Sequence, residues 1–354
     1  MFDVILSFVT AFTLTYFAIP SIIHIARVKN LCDEPDERRS HTVTTPSLGG
    51  IGIFAGLIFS VILWTPFEVF GNLQYILCSF LLIFLMGAKD DIIPISPYKK
   101  LLGEVLAASI LVFKSNIRLT SMYGILGFQE MPYWFSVLVT IFTILVIINA
   151  FNLIDGINGL AGSISIVIAA TIGGWFFLVD HLEMSVLAFA MVGSVLAFLK
   201  YNVTPAKIFM GDTGSLLLGL VCSILAISFI ETHNELPDSS AYKFDAAPAV
   251  AFGILILPLF DTLRVFTTRI MRGKSPLFPD RTHIHHLLLD SGLSHMQATT
   301  ILVGVNVAFI LLVLTFQRMG NSLLLALIIA IAVLMSVLLQ FSVTRKKMRQ
   351  AKSV

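Results

Sequence analysis

Long apolar runs follow one another from residue 3 to residue 342, separated by short polar segments, and a water-soluble core could not bury them all. A helix of about 20 apolar residues crosses the hydrocarbon of a bilayer. It also satisfies its backbone hydrogen bonds internally, which irregular chain in lipid cannot do. Eleven runs can be read, at about 3–26, 48–65, 72–88, 101–114, 134–150, 158–178, 183–200, 214–231, 246–267, 297–316 and 321–342. The expected fold is therefore all-α: a polytopic membrane helical bundle of about 11 transmembrane helices, forming one integral membrane domain over residues 1–354. The shortest run, 101–114, contains Glu104. Charged residues make up 12% of the chain and the mean hydropathy is +0.92, whereas soluble domains carry about 25% charged residues. The first run lacks the basic start, short apolar centre and small-residue cleavage site of a signal peptide, so it reads as a retained span. Cys32, Cys78 and Cys222 lie far apart with no CxxC spacing, which indicates neither a disulfide framework nor a zinc site.

The charges are divided unevenly between alternate loops. One set comprises 27–47, 88–100, 150–158, 200–213, 264–297 and the tail after 342, and it holds 19 of the 23 Lys and Arg residues. The other set holds only Lys114, Arg118, Lys243 and Arg318. The positive-inside rule then puts the N-terminus outside and the basic tail "TRKKMRQAK" in the cytoplasm. That tail reads as enforcing topology rather than as a lipid-recognition site. His24, inside the first run, reads as a packed or interfacial histidine. Glu231 and Asp238, in "ETHNELPDSSAYKFD", are expected in a solvated outer loop.

Four polar clusters fall on the basic side. The first is Asp90-Asp91, at the end of an apolar run where a carboxylate is expensive. Adjacent helical residues do not face each other, so the two should have different tasks, one on a metal and one on a substrate or a lysine. The alternative is a solvated helix end with Lys89 or Lys99 as counter-charge. In "NAFNLIDGINGLAG", Asn152 and Asp155 share a face if the helix persists that far, and Gly156 and Gly159 allow close backbone approach to a ligand. Here the alternative is a helix end, with Asn158 capping the next span. In "GDTGS", Asp212, Thr213 and Ser215 are each plausible N-caps. A helix start also suits a phosphate, and Asp212 suits a divalent cation that the phosphate shares. In "PDRTHIHH", Arg281, His283, His285 and His286 lack a structural-zinc spacing and suit a diphosphate, unless the segment is simply a solvated basic loop. Taken together, Asp90, Asp91, Asn152, Asp155 and Asp212 are hard oxygen donors. Mg²⁺ is usually held by one or two carboxylates plus substrate phosphates. Such a set at a membrane surface points to phosphoryl transfer involving a lipid. The rival class is a transporter, which would place its ionisable groups nearer the bilayer midplane.

The order DD, NxxDGxxGLAG, GDTGSxxLG, HxHH resembles the polyprenyl-phosphate N-acetylhexosamine-1-phosphate transferases, of glycosyltransferase 4 type, over nearly the whole chain. "PDRTHIHHLLLDSG" and "DEPDERRSHTVTTPSLGG" look like the bacterial undecaprenyl-phosphate GlcNAc-1-phosphate transferases. The phospho-MurNAc-pentapeptide transferases, the alternative within the superfamily, carry an unbroken His run that Ile284 interrupts here. Asn158 stands where many bacterial members have a second Asp. The resemblance implies transfer of GlcNAc 1-phosphate from UDP-GlcNAc to undecaprenyl phosphate, giving undecaprenyl-diphospho-GlcNAc and UMP. The location implied is the cytoplasmic face of a bacterial inner (plasma) membrane, at the first membrane step of a cell-surface polysaccharide pathway. The cofactor would be Mg²⁺ or Mn²⁺. The partners would be the two substrates and the bilayer, with no nucleic acid, and a homodimer is compatible. By resemblance Asp90, Asp91 and Asp155 are catalytic and Asp212 and Asn152 hold the metal. Arg281, His283, His285, His286, His41 and Asn158 hold substrate.

Overall fold

The computed structural model describes residues 2–31, 45–66, 70–203, 205–273, 275 and 282–351. His41 and Arg281 lie outside the described residues. The described residues form thirteen α-helices: α1 (Phe2–Val28), α2 (Gly49–Trp64), α3 (Phe70–Ile92), α4 (Pro97–Lys114), α5 (Tyr133–Ile154), α6 (Leu160–Leu178), α7 (Leu182–Asn202), α8 (Gly211–Glu235), α9 (Ala247–Ile254), α10 (Ile256–Met271), α11 (Ile284–Asp290), α12 (His295–Phe316) and α13 (Asn321–Ala351). An isolated β-bridge joins Ser121 and Glu130.

All eleven expected runs are helical, and the fold is an all-α polytopic membrane bundle. Among the described residues, eight helices are long and apolar enough to cross a membrane, or nine if α9 and α10 form one span. Of the other two runs, α2 is apolar but has only 16 residues, and α4 carries Lys99, Lys100, Glu104 and Lys114. The ninth run is broken, because α9 and α10 meet at 81°. Pro258 supplies a reason: in a continuous helix its ring would crowd the carbonyl of Ile254, and it has no N–H to donate there.

At the centre is α8, which is buried on nearly every side. Small residues let other backbones approach it, as is usual between membrane helices. A Cβ on Gly50 of α2 would overlap the backbone of Gly214, one on Gly87 of α3 the backbone of Thr213, and one on Gly219 of α8 the backbone of Ile148 in α5. The helices that supply the polar clusters are thus held against one axis. On the outside, Phe17, Leu138, Phe142, Leu338 and Phe341 are exposed, as side chains meeting lipid would be.

At the end of α8 opposite Gly211, Glu231 is not the solvated loop residue expected. It lies on α8, and its carboxylate accepts from Thr120 N (2.9 Å), Thr120 Oγ1 (2.7 Å) and Tyr123 OH (2.6 Å). A segment remote in sequence is latched to the helix, which sequence spacing could not reveal. Asp238 is exposed as expected and pairs with Lys243 at 2.8 Å. His24 is exposed on α1. Replacing Glu231 by Ala removes all three bonds and should lower the stability of the purified protein by about 2–3 kcal/mol. Thermal unfolding in detergent measures this, and an unchanged midpoint would contradict the latch.

Candidate active site

The site begins where α3 ends and α8 starts. The first N–H groups of a helix have no partner within it. Here Asp91 of α3 supplies one: its carboxylate accepts from Asp212 N (2.6 Å), Thr213 N (3.0 Å) and Thr213 Oγ1 (2.5 Å). The helix is capped from another element, and none of its expected caps, Asp212, Thr213 or Ser215, does the work. A negative charge at this end is also favoured by the helix dipole. Gly211 opens the turn at φ +72°, where a Cβ would overlap Ser47 O and the Asp91 carboxylate. The start of α2 joins in, with Gly49 N and Gly50 N donating to Phe209 O (2.9 Å) and Met210 O (2.8 Å).

Asp90 points elsewhere, as adjacency on a helix requires. Its Oδ1 accepts from Ile95 N at 2.7 Å and its Oδ2 lies 3.4 Å from Lys100 Nζ. Lys100, in the first turn of α4, also forms an ion pair with Asp212. The counter-charge is therefore Lys100 and neither Lys89 nor Lys99. On the other side of Asp212, Asn152 Nδ2 donates to its Oδ1 (2.8 Å) and to Ser215 Oγ (2.9 Å). Lys100, Asp212 and Asn152 thus form a chain across α4, α8 and α5.

Helix α5 stops at Ile154, so Asp155 is its C-cap residue (φ −77°, ψ 49°) and does not share a helical face with Asn152. Both nevertheless line the same cavity. The Asp155 carboxylate has no hydrogen-bond partner among the described residues. Burial, then the charges of Asp212 and Asp91, pushes its carboxyl up to about 7. Asn158 also lines the cavity, but it does not cap α6. The cap position is Gly159 at φ +76°, whose N–H donates to Asn202 Oδ1 at 2.7 Å. Asn158 is held by its backbone, with its carbonyl accepting from Thr299 Oγ1 at 2.9 Å.

The cavity, about 440 Å³, brings together Asp90, Asp91, Asn152, Asp155, Asn158 and Asp212. It does not include the histidines. His283 is buried, with its Nδ1–H donating to Asp261 Oδ2 at 2.9 Å. Asp261 Oδ1 accepts from Arg264 Nη2 (2.9 Å) and Ile284 N (3.0 Å), and Arg264 also donates to Thr282 O. The ring of His285, also buried, lies against Gly156, where a Cβ would overlap it. Burial, then the neighbouring His286, pushes His285 down to about 3, so it is neutral at physiological pH. His286 packs against His285 with ring centroids 4.2 Å apart. Thus His283 fastens its segment, and His285 backs the cavity through Gly156. Lys100, Asn202, Asp261 and Arg264 were not singled out in the sequence, where no motif spacing marks them, and Ser215 was read there only as a possible helix cap.

The donors suit a hard divalent cation such as Mg²⁺ or Mn²⁺. They are the unpartnered Asp155 carboxylate, Asp212, Asp90 and the amide oxygen of Asn152. No group of three or more His, Cys, Asp or Glu among the described residues is placed to hold an ion unaided. An ion held here would need further oxygen ligands, which substrate phosphates could supply. The cap gives a separate test. Asp91→Ala strands two backbone N–H groups and should cost about 1–3 kcal/mol of stability. Asp91→Asn, which keeps one acceptor oxygen, should recover part of it. Equal thermal midpoints for wild type and Asp91→Ala would exclude the capping role.

Comparison with known proteins shows the family. The glycosyl transferase family 4 profile matches residues 73–230, which include Asp90, Asp91, Lys100, Asn152, Asp155 and Asp212. The chain is 31% identical over 281 residues to an undecaprenyl-phosphate alpha-N-acetylglucosaminyl 1-phosphate transferase of Escherichia coli K12, covering 77% of this chain and 73% of that protein. It is 31% identical over 273 residues to the Yersinia pestis protein of the same name, covering 76% and 72%. A probable undecaprenyl-phosphate N-acetylglucosaminyl 1-phosphate transferase of Bacillus subtilis 168 is 29% identical over 319 residues, covering 87% and 84%. With the motif order, the helical bundle and the acidic cavity all in agreement, the chain belongs to glycosyl transferase family 4 and is a membrane-embedded phosphoglycosyl transferase.

Proposed function

We propose that this protein transfers GlcNAc 1-phosphate from UDP-GlcNAc to undecaprenyl phosphate, releasing UMP. The observation that carries the reading is the cavity lined by Asn152, Asp155 and Asp212, with Asp212 bonded to Asn152 and ion-paired with Lys100. The names of the relatives support the lipid acceptor and the sugar. The loop charges support a cytoplasmic cavity and C-terminus with the N-terminus outside. The tethered acceptor and the soluble nucleotide would then meet at the inner surface of the membrane.

The acceptor is a phosphate monoester with a second pKa of about 6, so at neutral pH it is largely the dianion. One of its oxygens attacks the sugar-bearing phosphorus of UDP-GlcNAc. The new P–O bond forms as the bond to the UMP oxygen breaks, and UMP leaves with that electron pair. A strong general base is not required. The demand is to bring one anion against another, which fixed positive groups meet. Among the described residues, Lys100 pairs with the site's carboxylates, and Asp90 and Asp212 hold its ammonium there. The start of α8, fixed by Asp91, adds the positive end of its dipole. Asp212 and Asn152, with Asp155, would hold Mg²⁺ or Mn²⁺, which when bound supplies charge neutralisation for the diphosphate and the departing UMP. Asn158 lines the same cavity and would meet the substrate there. By the family resemblance alone, Arg281, His41 and His286 would hold the diphosphate and sugar.

Asp212→Ala, assayed for UMP release at saturating Mg²⁺, should fall by about a thousandfold; near-normal turnover would refute the assignment. A panel of UDP-sugars, with the lipid product read by mass spectrometry, should give the GlcNAc adduct. A MurNAc-pentapeptide adduct alone would move the protein to the other branch of the superfamily.

A further inference from the structure

Glu104 has no part in the reaction above, yet it is one of the most deeply buried ionisable side chains, 1% exposed on α4. A carboxylate among membrane helices is expensive and persists where it has a partner or a task. Its Oε2 accepts from Asn149 Nδ2 at 2.6 Å, while its Oε1 is buried without a partner. The same Asn149 amide donates to Leu145 O at 2.9 Å within α5, which fixes its orientation.

The position of this contact gives it meaning. Glu104 follows Lys100 by four residues on α4, and Asn149 precedes Asn152 by three on α5. Residues so spaced share a helix face. The Glu104–Asn149 bond therefore lies one turn deeper than the Lys100–Asp212–Asn152 chain and joins the same two outer helices directly. Lys100 needs such a support. It sits in the first turn of α4, where Ser96 makes no side-chain cap, and its neighbours Tyr98, Leu101 and Leu102 are exposed. A long flexible side chain on a weakly anchored turn is placed only as well as the next fixed point along its helix. Glu104 is a fixed point of that kind, and its bond is short and directional.

We propose that Glu104 is a positioning residue of the transferase: through Asn149 it sets α4 against α5 and so places the Lys100 ammonium beside Asp212. This rests on the transferase reading, and wild-type formation of the lipid-linked sugar is the control that tests that reading separately.

The test is a kinetic cycle on purified protein, with thermal unfolding confirming a folded state. Glu104→Leu should lower kcat by about 10- to 100-fold and leave the KM for UDP-GlcNAc within about threefold. Glu104→Gln keeps an oxygen for Asn149 and should bring kcat back to within about threefold of wild type. In a Lys100→Met background, Glu104→Leu should cost less than about a further threefold, because the group it places is already gone. A role confined to holding the bundle together would lower kcat equally in both backgrounds. That result, or a Gln variant as poor as the Leu variant, overturns the proposal. Asn149→Ala breaks the same bond from α5 and should reproduce the loss and its dependence on Lys100. Full activity in that variant also overturns it.

Discussion

The site depends on one carboxylate meeting one helix end. Asp91 accepts from Asp212 N, Thr213 N and Thr213 Oγ1, so the start of α8 is held by α3. An uncapped helix start buried in a bundle would leave polar groups without water or partners, a large penalty in this setting. Satisfying them from α3 fixes the angle and depth at which α8 enters the bundle. Asp212, one residue into α8, is thereby set where Lys100 and Asn152 can reach it. The glycines at 50, 87 and 214 serve the same end, because the contact forms only if backbones come close.

This arrangement divides the labour between the two adjacent aspartates. Asp91 is turned toward α8 and holds backbone, while Asp90 is turned toward Lys100 and holds charge. Beyond them Asp155 stands at the end of α5 with no hydrogen-bond partner among the described residues. A bundle that keeps an unpaired carboxylate beside an ion-paired one maintains a site that a cation and phosphates can complete. The buried His283–Asp261–Arg264 group is built on the opposite logic. Each charge there is matched within the protein, and it anchors the segment that carries His285 against Gly156.

Much of this was legible in the residues. The apolar runs located every long helix, because a bilayer demands about 20 apolar residues whatever the tertiary fold. The motifs named six residues that line one cavity. What was misread has a common cause. Lys100 rather than Lys99 neutralises the aspartates, because the phase of α4 relative to α8 decides which of two adjacent lysines points inward. The condition on which Asn152 and Asp155 would share a helical face is not met, since α5 ends one residue before Asp155. Glu231 looked solvated because its partners, Thr120 and Tyr123, lie more than a hundred residues away. His283, expected to hold substrate, is instead tied to the protein, because Asp261 reaches it from another helix.

The sequence by itself determined the solvent, the helices and the inventory of donors, for these follow from hydrophobic length and residue chemistry, which are local. The tertiary structure alone decided which donor serves a ligand and which serves the protein. That choice is a matter of partners. A carboxylate facing backbone N–H groups is occupied, and one facing only a cavity is free, and nothing along the chain encodes which of the two a given aspartate will meet.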